Sequence, residues 1–224
     1  MERHFDQELD KLNRRILKMG DLVAGQVKNA MTALVQCDIQ LANEIIENDT
    51  HLDELDIKID KLCQRIFALS QPVATDLRWI MSALKMNNDL ERMGDLAVNI
   101  ASKIEGIVAH KSIITELKID ELAEMTDVII NDMSVILHNR NTVFVKDILA
   151  DARSIKKKTQ MISTQMIGQM MKKPDVILVA TNLIIILTHI ERLADYVTNI
   201  AESIVFLVDG RIVKHGKLRG IGFT

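Results

Sequence analysis

A chain of 224 residues that is 48% apolar and 26% charged can bury a sizeable core, while 3% aromatic residues and two prolines argue against a β-rich fold. A net charge of −3, with acids and bases interspersed, gives no footprint for nucleic acid. Cys37 and Cys63 lie outside any CxxC pair, and the N-terminus is charged from its second residue with no apolar signal core, so a cytoplasmic protein is expected.

Apolar residues from Phe5 to Leu34 recur in steps of three and four, predicting one long amphipathic helix that stops near Gln36-Cys37-Asp38, with Asp38 capping its successor. The second helix carries Leu41, Ile45, Leu52, Leu55, Ile59, Leu62, Ile66 and Leu69 and ends at Ser70-Gln71-Pro72. The third runs from about Pro72 to about His110, apolar on two roughly opposite faces, which predicts a central helix with Glu91 and Asp95 pointing inward. A fourth spans about Thr115 to His138 and ends in the Asn139-Arg140-Asn141-Thr142 turn. The fifth carries Phe144, Ile148, Ile155, Ile162, Met166 and Met170 and meets Lys173-Pro174. The sixth reaches about Phe206, with Gly210 as its stop. Its most apolar run, Val176 to Ile190, is interrupted by Thr181, Asn182, Thr188 and His189, which predicts a deeply buried helix and not a transmembrane span.

The stretch ERMGDLAVNI, Glu91 to Ile100, returns as ERLADYVTNI, Glu191 to Ile200. Extended to Ile104 and Ile204, the copies share seven identities in fourteen positions, the mark of a duplicated unit. The expected fold is all-α: six helices in two pseudo-repeated antiparallel three-helix bundles, residues 1–110 and 111–210, followed by a basic, glycine-rich tail at 211–224.

Glu91 and Asp95 are one helical turn apart, and Glu191 and Asp195 repeat the pair. A carboxylate turned inward needs an arginine, a polar group, a proton or a cation, because burying it alone costs several kcal/mol. The second helix offers Asp49, Asp53, Asp56 and Asp60 at helical spacing. Asp49 and Asp53 with Glu91 and Asp95 could form an all-oxygen nest for Mg, Mn, Fe or Zn; a solvated acidic face or an internal salt-bridge network fits the same spacing. A carboxylate-bridged hydrolase or oxidoreductase is the competing class. No Glu-x-x-His, Walker loop, GxSxG or CxxC motif is present. His51, His138 and His189 stand alone; His189 is expected to be a hydrogen-bonded core residue, and Trp79 a core or interface anchor.

QPVATDLRWIMSALKMNNDLERMGDLAVNIA, from Gln71 to Ala101, and HIERLADYVTNIAESI, from His189 to Ile204, resemble the two signatures of the PhoU family, regulators of the phosphate-specific transport system. The resemblance extends to the NDTHLDELDIKID segment and to DGRIVKH near the end. It implies two three-helix bundles and a non-enzymatic cytoplasmic homodimer. Such a protein would be peripheral to the membrane, with no transmembrane segment. It would damp phosphate uptake and starvation signalling through the transporter ATPase and the phosphate sensor histidine kinase. It also implies metal ions on E/D-x-x-x-D motifs, matched here by Asp49 with Asp53, Glu91 with Asp95, and Glu191 with Asp195. One acidic motif departs: aligned on the prolines, Asp53, Asp56 and Asp60 fall on Ile155, Lys158 and Ile162. Asp147 and Asp151 could substitute after a register shift. The second site is therefore expected to be weak, altered or absent, with Glu191 and Asp195 paired to lysine or arginine.

Overall fold

The structure, a computed structural model, describes residues 2–70 and 72–211; nearly all of the proposed basic tail, from residue 212 onward, lies outside the described residues. Helix α1 (Glu2–Gln36) ends where Cys37 takes a φ of +54°, and Asp38 accepts a 3.0 Å hydrogen bond from the Leu41 N–H to cap α2 (Ile39–Glu47). Then come α3 (Thr50–Ser70) and α4 (Ala74–Ile104). After a 3-10 turn at Val108–His110, the second half contains α5 (Ser112–Glu116), α6 (Ile119–Asn139), α7 (Val145–Met170) and α8 (Ile177–Asp209). Arg140, at a φ of +49°, ends α6. Gly210, at +68°, donates its N–H to the Phe206 carbonyl and ends α8.

The second predicted helix is two helices. Asn48 turns its side-chain amide onto the Glu44 carbonyl at 2.8 Å, and its own N–H bonds the same oxygen, which closes α2. The chain restarts at Thr50 because Asn and Asp offer the backbone local alternatives to the helical ladder. The short α5 is likewise a separate element, not part of the fourth predicted helix.

Helices α1, α3 and α4 pack together, as do α6, α7 and α8, and α1 lies on α6 while α4 lies on α8. Each of these cross-contacts joins a helix to its own repeat counterpart, so one continuous apolar core serves both halves. Gly20 permits the first approach: a Cβ there would overlap Leu137 Cδ2 of α6. Helix α4 buries Ile80, Ala83, Met86, Leu90, Met93, Ala97, Ile100 and Ile104. The other apolar series read from the sequence is its outer margin, since Leu77, Met81, Asn88 and Asp95 are exposed and Glu91 is half-buried. The two acids therefore do not point into the core: one broad stripe meets α1 and α8, and the acids lie at its margin toward α3.

Helix α8 passes the length and composition test for a membrane span, with 39% of its most apolar window buried. Leu183, Ile186, Leu187 and Ile190 are sealed in the core, whereas Leu178 is 74% exposed, so deep burial holds for one face only. Trp79 is buried, with the Arg140 guanidinium 4.5 Å above its ring.

Both cysteines are buried free thiols. Burial, reinforced by Asp60, pushes Cys63 up to about 12, leaving roughly one thiolate in ten thousand at pH 8. Ellman's reagent is expected to react with Cys63 on the order of a hundredfold more slowly than with a free thiol, and at full rate in guanidinium. Rapid native labelling would show that α3 opens.

Candidate functional site

The break before Thr50 and the packing of α3 on α4 bring Asp49, Asp53 and Asp56 opposite Glu91 and Asp95, with Asp60 beside Asp56 and Asn87. Partial burial raises the Glu91 carboxyl above the usual range, negative charge on Asp95 and Asp56 raises it further, and Arg92 draws it down by more than Asp53 raises it. Asp49 is raised by burial, then by Asp53 and Asp95, against one hydrogen bond from Gln26. Asp56 is raised by burial and Asp60, and Asp95 by burial and Asp53. This is a face of like charges across a helix seam, with Arg92 as the positive charge that acts on Glu91 and Asp95.

Two amides missed in the sequence complete the face. Asn87, fully buried one turn before Glu91, donates to Asp56 Oδ1 at 2.6 Å and to Asp60 Oδ1 at 3.1 Å. Gln26 reaches across from α1. Asn87 Oδ1 and Gln26 Oε1 are buried acceptors without a protein partner. The signal for Asn87 was present: a polar residue on an apolar stripe, four before Glu91. For Gln26 there was none, because only the packing of α1 places it here. Gly94, between Glu91 and Asp95 on the helix, leaves room for Leu52, whose Cδ2 would stand 2.9 Å from an added Cβ.

An all-oxygen donor set with excess negative charge and orphaned carbonyl oxygens suits a hard or borderline divalent cation. Among the described residues no group of three or more His, Cys, Asp or Glu side chains is placed to hold a metal ion.

The second half differs. Lys156 Nζ stands 2.9 Å from Glu191 Oε1, and Thr159 Oγ1 lies 3.3 Å from Glu191 Oε2. Asp195 is raised by burial and Glu191 but drawn down by Lys156. The register of α7 against α8 thus sits one residue away from that counted from the prolines: Ile155 and Ile162 are core, and Lys156 faces the acids. Lys158 instead bonds Glu121 of α6. Asp132 on α6 is raised by burial and then by Asp151 and Asp147, which lie beside it, so the register shift that would have brought them to Glu191 does not occur.

The histidines are also placed. His138 Nδ1 lies 3.0 Å from the Ser134 carbonyl, and Nε2 lies 3.5 Å from Asp21. His189 is half-buried, its Nδ1 has no partner, and burial followed by Arg192 and Lys103 lowers its pKa. The hydrogen-bonded core histidine expected there is not found. On the α4–α8 seam, burial pushes Asp89 up to about 6 despite a hydrogen bond from Asn199, and Arg92 and Arg192 both donate to the Tyr196 hydroxyl.

Comparison with known proteins agrees with this architecture in both halves. The family model described as "PhoU domain" matches residues 16–104 and again residues 119–204. The chain is 31% identical to the phosphate-specific transport system accessory protein PhoU homolog of Aquifex aeolicus (strain VF5), covering 96% of this chain and 98% of that one. It is 34% identical to the homolog of Rhizobium meliloti (strain 1021), over 92% and 87%. The crystal structure of PhoU from Pseudomonas aeruginosa superposes with a TM-score of 0.86 at 27% identity, covering 92% of this chain and 100% of that one. That of the phosphate transport system regulatory protein PhoU from Streptococcus pneumoniae gives 0.82 at 29%, over 94% and 100%.

Proposed function

This chain belongs to the PhoU family, and from that premise we propose that it is a non-enzymatic negative regulator of phosphate uptake and phosphate-starvation signalling. It acts on the cytoplasmic side by contact with the ATPase of the phosphate transporter and with the phosphate sensor histidine kinase. The observation that carries the reading is the family match in both repeats, together with full-length relatives named as accessory proteins of phosphate-specific transport.

Asp49, Asp53, Glu91 and Asp95 would hold a metal ion, whose positive charge neutralises facing carboxylates. The residues themselves do the rest. Asn87 orients Asp56 and Asp60, Gln26 orients Asp49, and Leu52 packs under Gly94 to fix the distance between α3 and α4. Neutralising the face fixes the relative position of two helices whose outer surfaces are available to a partner.

Affinity capture from cells grown in high and in low phosphate tests the regulatory reading. Phosphate-dependent recovery of the transporter ATPase or the sensor kinase is expected, and recovery of neither under both conditions counts against it. Metal analysis of purified protein tests the site. Asp49→Asn with Glu91→Gln is expected to lower metal content at least tenfold, and unchanged content would place the metal elsewhere.

A further inference from the structure

The two halves share a backbone but not a charge balance. Asp49, just before α3, and Asp53 and Asp56 on it face Glu91 and Asp95. The corresponding face of α7 presents Lys156 and Thr159 to Glu191 and Asp195. We propose that the Lys156 ammonium replaces the cation in the second half, so that this half closes without metal and the chain takes up metal through its first half alone. The inference rests on reading the first half as a metal site, and it goes beyond that reading in assigning the second half a covalently tethered counterion.

The geometry is that of replacement and not of mere proximity. The ammonium sits 2.9 Å from Glu191 Oε1, ordinary distance for a charge-assisted hydrogen bond, while the Thr159 hydroxyl donates to the Lys156 carbonyl at 2.9 Å and lies 3.3 Å from Glu191 Oε2. The Glu191 carboxylate is therefore paired by the ammonium. Lys156 also acts on Asp195, one turn further along α8, as Asp53 acts on both Glu91 and Asp95 in the first half. It holds the equivalent position with the opposite charge. A divalent ion entering here would have to displace the ammonium and then sit beside it, at a like-charge cost that the first half does not impose. Lys158, two residues further on, is committed to Glu121. The pseudo-symmetric protein is thus asymmetric in response: metal availability alters the α3–α4 face and leaves the α7–α8 face unchanged.

The test uses the full chain, stripped with chelator and then titrated with Mn²⁺, with bound metal counted after desalting and melting temperature read in parallel. Asp49→Asn with Glu91→Gln, which keeps Lys156, is expected to lose bound Mn²⁺ and to melt at the same temperature with or without it. Lys156→Asp in the wild-type background is expected to add bound Mn²⁺ over wild type, and adding Glu191→Gln is expected to remove that increment. Bound Mn²⁺ that persists in the first-half variant and disappears when Glu191→Gln is added overturns the inference, since the second half would then bind despite its lysine. A folded Lys156→Asp variant with no increment overturns it too. A wild-type chain with no Mn²⁺ at all defeats the first-half reading instead, and in that case an increment from Lys156→Asp still supports the role given to the lysine.

Discussion

Neutralising one acid on each side of the first-half seam, Asp49→Asn with Glu91→Gln, is expected to stabilise the metal-free protein and to abolish its stabilisation by metal. Both carboxyls are raised in the folded state, by burial first and by neighbouring acids second. A raised carboxyl contributes stability that is fully present below the ordinary carboxylate range and is lost as pH rises through the folded-state value. At pH 7.5 both groups are therefore net liabilities. Their exposure lets water screen most of the repulsion, which leaves a gain of about 1 kcal/mol for the pair, or about 2–4 °C in melting temperature for a chain of this size. Metal reverses the comparison: at a hundredfold excess over its dissociation constant an ion adds about 2.7 kcal/mol to the wild type and almost nothing to the variant. Calorimetry with and without Mn²⁺ at pH 7.5, repeated near pH 4 without metal, checks both signs. The metal-free difference should shrink in acid. A variant less stable than wild type without metal would show that these carboxylates make favourable contacts and are not held against their charge.

Most of the architecture was legible because it depends on period and punctuation. Steps of three and four predicted the long helices, Asp38 and Gly210 marked a start and a stop, and the repeat at Glu91 and Glu191 marked α4 and α8 as counterparts, though not their packing on one another. The break between α2 and α3 was missed although Asn48-Asp49-Thr50 carries strong capping chemistry, because the apolar stripe continues through it in phase. Inward-pointing Glu91 and Asp95 were an error of a different kind. A central helix can meet its neighbours through one wide stripe, and period alone does not tell a second buried face from an exposed apolar margin. The candidate site was half visible. Its carboxylates could be read from spacing, but Gln26 and the Lys156–Glu191 pair depend on how separate helices meet. A one-residue difference in the register of α7 decided whether isoleucine or lysine faced the acids.

That dependence on helix approach is sharpest at Gly20, where α1 meets α6 and the two halves share their core. Replacing it with valine is expected to cost about 2–3 kcal/mol, which lowers the melting temperature by roughly 5–10 °C. The new Cβ would overlap Leu137 Cδ2, and Leu137 is itself only 3% exposed, so its side chain has little room to yield. Helix propensity works the other way, since removing a glycine from a helix interior gains up to about 1 kcal/mol, and a net loss therefore measures the clash. Gly25, on the same helix with nothing within 4 Å of an added Cβ, is the control: Gly25→Ala should be stabilising by about 0.5–1 kcal/mol. Denaturant melts of the two variants separate propensity from packing on one helix. If Gly20→Val proves neutral, α1 and α6 can slide apart at little cost, and the halves are joined chiefly through α4 and α8. If Gly20→Val instead splits the transition in two while Gly25→Ala keeps it single, the α1–α6 contact is what makes the repeats unfold as one unit.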